Sequence, residues 1–173
     1  MGLQLVVGNP SDVFNKDYAA AVRLEIDSAF PGEIVMAAKE PRWESAELAW
    51  SSWGTLQDMV RRAIGDKECV HFCSMEAWNG VFLPTELTPA VLTAEGQSEP
   101  LDLAGLRCLI SELHAFALAA GLPTDESGLA EFDRKYSEDD DLDDEGLAFQ
   151  TFAQLIIAAS EASRRRQGLW VVK

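Results

Sequence analysis

The stretch from Cys69 to Leu87 restricts the fold more than any other, because it sets two short apolar runs on either side of a turn signal. Val70 and Phe72 alternate with Cys69, His71 and Cys73, the period-2 pattern of a strand with one buried face. Asn79-Gly80 is a turn pair, and Val81-Phe82-Leu83 resumes the apolar run behind it. The stretch therefore predicts a central β-hairpin, with Pro84 confining its second arm to an edge or a strand end. It also holds two of the three cysteines, one of the two histidines and Trp78, so any chemistry is sought here first.

The flanking chain alternates between strand and helix signals. Leu3 to Val7 predicts a strand ended by Gly8-Asn9-Pro10, and Tyr18, Val22, Ile26 and Ala29 recur at helical spacing between Lys16 and Phe30 before Pro31-Gly32. Glu33 to Ala38 predicts a short strand. Trp50, Trp53, Leu56, Val60, Ala63 and Ile64 form a helical stripe closed by Gly65. Beyond a polar connection from Thr93 to Pro100, Asp102 is expected to cap a helix whose apolar face includes Leu106, Leu109, Leu113 and Phe116 and which ends at Gly121-Leu122-Pro123. Thr124 to Tyr136 predicts a short helix, Ser137 to Asp144 a loop, Asp144 to Arg165 a long helix, and Leu169 to Val172 a closing strand.

A chain of 173 residues without a Pro-, Gly- or Ser-rich linker or an internal repeat predicts one domain over residues 1–173. The expected class is α+β: a small mixed β-sheet with a central hairpin and three or four packed helices. The order of an opening Leu-Val-Val-Gly strand, Ser52-Trp53-Gly54, His71-Phe72, Val81-Phe82-Leu83-Pro84 and a Leu109 to Phe116 helix ending in Gly121-Leu122-Pro123 resembles a group of small uncharacterised bacterial acidic α+β proteins. That resemblance implies the domain type and carries no activity.

Net charge narrows the function classes. At −15 the chain repels nucleic-acid phosphates and anionic membranes and attracts basic proteins, so direct nucleic-acid and membrane binding are not expected. The short apolar N-terminal run lacks a basic flank, Val6 stands where a myristoylation signal needs Ser or Thr, and three cysteines fit a reducing compartment. A cytoplasmic location is expected.

On a strand, Cys69, His71 and Cys73 share a face, but a rise of about 3.3 Å per residue separates the outer two by roughly 13 Å, whereas two thiolates on one zinc lie within about 4.6 Å. No metal is therefore expected, and with no phosphate loop, dinucleotide fingerprint or nucleophile elbow, no cofactor either. Cys73 with His71, or else His114, as base is the enzymatic alternative, a small thiol-dependent enzyme. Cys108 and His114, about 120° apart around their helix, cannot share a site. In the run from Glu138 to Glu145, Asp141, Asp143 and Glu145 fit the first ligand positions of a calcium loop, but Phe152 stands where the bidentate Glu belongs. The same carboxylates complement a helix whose far end carries Arg164-Arg165-Arg166.

The expected function is a protein-binding module, for instance an inhibitor or immunity-type partner of a basic protein. Its expected surface combines Asp139, Asp140, Asp141, Asp143 and Asp144 with whichever of Trp43 and Trp78 is exposed, an aromatic anchor inside a charged rim.

Overall fold

The computed structural model describes residues 2–34, 40–77, 79–93, 100–139 and 141–173. Its strands and helices follow in the order β1 (Gly2–Gly8), α1 (Lys16–Ala29), β2 (Trp43–Glu44), β3 (Leu48–Ala49), α2 (Trp50–Ile64), α3 (Val70–Cys73), β4 (Asn79–Leu83), β5 (Ala90–Leu92), β6 (Leu101–Gly105), α4 (Leu106–Ala120), α5 (Glu126–Ser137), α6 (Asp144–Arg165) and β7 (Gly168–Val172). The class is α+β, with one mixed sheet ordered β2-β1-β7-β4-β6-β5 and β3 pairing with the start of β1. Strand β7 is antiparallel to both β1 and β4, with Val6 opposite Trp170 and Val81 opposite Trp170 on its other side. Strand β6 is parallel to β4, and β5 folds back on it as the outer edge.

Alternation along the strands builds two apolar layers. Leu3, Leu5, Val7, Phe82, Ala104, Leu169 and Val171 face α2, α4 and α6, where Phe116 and Phe152 meet edge to face with centroids 5.5 Å apart. On the other face Val6, Val81, Leu83, Leu103 and Trp170 receive Val22 and Ile26 of α1. Helix α6 is buried along most of its length because its small residues, Ala148, Ala153, Ala158, Ala159 and Ala162, let neighbouring elements close on it.

The expected hairpin is not formed. Residues 70–73 are a single helical turn, α3, and β4 pairs with β6 and β7. The physical reason is a distant carboxylate: Glu112 on α4 accepts hydrogen bonds from the backbone N–H groups of His71 at 2.9 Å and Phe72 at 2.8 Å. Those are donors that the first turn of a helix leaves without a partner. Phe72 is then buried edge to face on Trp53, 5.0 Å between centroids, while Val70 turns outward. The pattern 69–73 is thus one of helical spacing, with Cys69 and Phe72 inward.

Other expectations are corrected too. Among the described residues six helices pack around the sheet where three or four were expected. Asp102 lies inside β6 and accepts a hydrogen bond from the Glu76 N–H; Gly105 is the residue that starts α4. Strands β2, β3, β5 and β6 were not anticipated. Of the strand expected over Glu33 to Ala38, Glu33 and Ile34 form a turn and bend, and the remainder lies outside the described residues.

Candidate functional site

The cysteine and histidine groups of residues 69–73 do not converge on one reaction centre. Side chains two apart on a helical turn point about 200° away from each other, and their partners differ accordingly. His71 Nδ1 accepts a hydrogen bond from the Gly105 N–H at 3.1 Å, which leaves the ring proton on Nε2 and ties the ring to the start of α4. Cys73 turns toward α2 and Cys69: its Sγ lies 3.3 Å from the Cys69 Sγ. The strand geometry that put those sulfurs roughly 13 Å apart is thus replaced by a helical turn that brings them into contact. Burial pushes the Cys73 thiol up to about 12, with the neighbouring Cys69 adding to the rise. Burial likewise raises Cys69 and Cys108. A thiol at that value is ionised in about one molecule in 10⁵ at neutral pH, and the thiolate is the nucleophile. Among the described residues no three His, Cys, Asp or Glu side chains cluster so as to hold a metal ion.

A depression of about 950 Å³ opens beside this region, lined by Lys67, His71, Arg107, Cys108 and Glu112 among others. It runs along α4 from Arg107 to Ala115, between that helix, residues 67–71 and the segment Glu86 to Pro89 that follows β4. Its charges are mixed, since Lys67 and Arg107 face Glu68, Glu86 and Glu112, with Arg107 4.0 Å from Glu86. Glu112 is raised by burial, against the pull of the two N–H groups it accepts.

The other candidate surface is the acidic end formed by α5, the loop after it and the start of α6. Between residues 125 and 145 the chain carries eleven carboxylates and two cations, nine of its fifteen net negative charges. Asp125 caps α5 by accepting from the Gly128 N–H, and Asp143 caps α6 by accepting from the Gly146 N–H at 2.8 Å. Asp139 accepts from the Asp141 N–H, which folds the loop back on itself. Asp139, Asp141, Asp143 and Asp144 are all exposed, and Asp140 lies outside the described residues.

Packing of α5 on α6 adds what periodicity did not reveal. Phe132 and Tyr136, one turn apart on α5, meet Phe149 of α6, with ring centroids 4.8 to 5.9 Å apart. All three rings are half-buried, and Phe132 packs against the main core. The i, i+4 spacing of Phe132 and Tyr136 is the sequence signal that could have found them; the third ring comes from another element.

Trp43 is elsewhere. It pairs with Val7 at the edge strand β2, half-buried against the main core. The adjoining residues Glu40 and Pro41 are held by Arg164 and Arg165, which belong to the last turn of α6. The aspartates stand at the first turn, so the length of α6, roughly 33 Å at about 1.5 Å per residue, separates Trp43 from them. Trp78 lies outside the described residues.

Comparison with known proteins adds no relative: no family model, no curated protein and no solved structure matches the chain. Among the described residues no helix is long and apolar enough to cross a membrane.

Proposed function

We propose that the protein is a binding module whose acidic α5–α6 end docks on a basic protein, in the manner of an inhibitor or immunity-type partner. The observation that carries this reading is that the segment from α5 to the start of α6, which has nine net negative charges in its sequence, also presents three half-buried aromatic rings. Concentrated charge of one sign speeds encounter with an oppositely charged surface, and aromatic rings that keep one edge in solvent supply the contact area that holds it. Asp141 and Asp144 are free to serve a partner because neither caps a helix, whereas Asp143 has a structural duty as well. Thiol catalysis gains no support, because Cys73 and His71 turn apart and the Cys73 thiol is held protonated by burial.

The reading is tested by capture from the source cell's lysate on immobilised wild-type protein and on two variants. One carries Asp139→Asn, Asp141→Asn and Asp144→Asn; the other carries Tyr136→Ala. A basic protein retained by wild type, lost from the aspartate variant and eluted by moderate salt is the expected result. Equal retention by all three would remove the acidic end from consideration.

A further inference from the structure

Cys69 and Cys73 form a side-chain pair that the proposed docking surface does not use. The Cys73 N–H donates to the Cys69 carbonyl at 2.9 Å, closing one α-helical turn, and residues four apart lie on one helix face. Both thiols are free, with sulfurs 3.3 Å apart; Cys69 is buried and Cys73 half-buried, so one member of the pair is reachable and the other is covered. Cys108 belongs to a different helix, α4.

We propose that Cys69 and Cys73 are a modification site that closes to a reversible intramolecular disulfide when a small disulfide oxidant of the glutathione class is in excess. An S–S bond of about 2.05 Å asks the sulfurs to approach by about 1.3 Å. The segment can supply that movement. Helix α3 is a single turn, preceded by a 3-10 turn at Asp66–Glu68, and Cys69 already departs from helical geometry at φ −135°, ψ 32°. In the first step the Cys73 sulfur gives up its proton and attacks oxidised glutathione, forming a mixed disulfide and releasing one glutathione thiolate, which takes up a proton. In the second, Cys69 loses its proton and attacks the Cys73 sulfur, expelling the second glutathione, which is protonated in turn. Two protein thiols lose two electrons and one oxidised glutathione gains them.

Burial makes the first step slow, because little thiolate is present. The second is fast by comparison, since the attacking sulfur already stands in contact. Closure removes the Cys69 S–H donor from the Gly65 carbonyl, 3.2 Å away, and staples the connection between α2 and β4. The pair therefore responds to sustained oxidation and ignores brief exposure.

The test exposes the folded full-length chain to excess oxidised glutathione for hours, blocks remaining thiols and maps the product by mass spectrometry without reduction. The expected product has one blockable thiol in place of three, is lighter than the reduced chain by two hydrogen atoms, yields a Cys69–Cys73 linked peptide, and reverts with dithiothreitol. Cys69→Ser, checked for folding by circular dichroism, should instead stop at a glutathione adduct on Cys73. Three blockable thiols after the same exposure, with closure seen only in denaturant, would overturn the proposal. So would a link through Cys108 or to a second chain. If Cys69→Ser does not fold, the wild-type map decides alone.

Discussion

Glu112 shows how a single side chain can redirect a whole segment. Its two oxygens accept from His71 and Phe72, and without it a buried and a half-buried backbone donor lose their partner. Glu112→Ala is expected to cost about 2–4 kcal/mol, read from urea unfolding, while Glu112→Gln, which retains one acceptor oxygen, should cost less. Burial raises the Glu112 carboxyl in the folded state, so its protonated form is the one that folding favours. That contribution is complete below the unfolded value of about 4.3 and is lost as pH rises through the folded one. The advantage of wild type over Glu112→Gln should therefore shrink as unfolding is measured at rising pH, and a difference that grows would contradict the burial argument. Arg166 offers a second test at this scale. It closes α6 in the left-handed region at φ 55°, where a side chain is strained and glycine is not. Arg166→Gly should raise stability by about 0.5 kcal/mol, the relief of strain exceeding the added freedom of the unfolded chain.

Among the elements, α6 joins the two ends of the molecule. Asp144 and Glu145 stand in its first turn and Arg164 and Arg165 in its last, each complementing the helix dipole. Glu161 is held down to about 2 by hydrogen bonds from Arg164 first and Arg165 next, and the same two arginines reach Glu40. A depressed carboxyl stabilises the fold above its unfolded value and loses that contribution as pH falls through the folded one. Glu161→Gln should thus flatten the fall in melting temperature between about pH 4.3 and 2. Helices α1, α2, α4 and α6 and strands β1 and β7 were legible because long apolar stripes and Gly or Pro stops mark them. Helix α3 was not, since its five-residue pattern fits either period and its arbiter, Glu112, is about forty positions away. Strand β6 was hidden by Asp102, a good capping residue standing just before an apolar helix, and β2, β3 and β5 are two or three residues long, too short to show a period.

At the scale of the whole molecule, charge was the most readable property and its distribution the least. The acidic run was plain in the sequence, but its aromatic neighbours come from packing α5 on α6, and the length of α6 carries Trp43 to the opposite end. In the proposed complex the exposed aspartates steer and the rings hold. With the captured partner in hand, the direct measurement is its association and dissociation rates across a salt series for wild type, the triple aspartate variant and Tyr136→Ala. Asp139→Asn with Asp141→Asn and Asp144→Asn should slow association about tenfold at low salt and flatten its salt dependence, and Tyr136→Ala should speed dissociation with association unchanged. An aspartate variant that associates at the wild-type rate in low salt would contradict this assignment, and these carboxylates would then be no more than solvated surface charge.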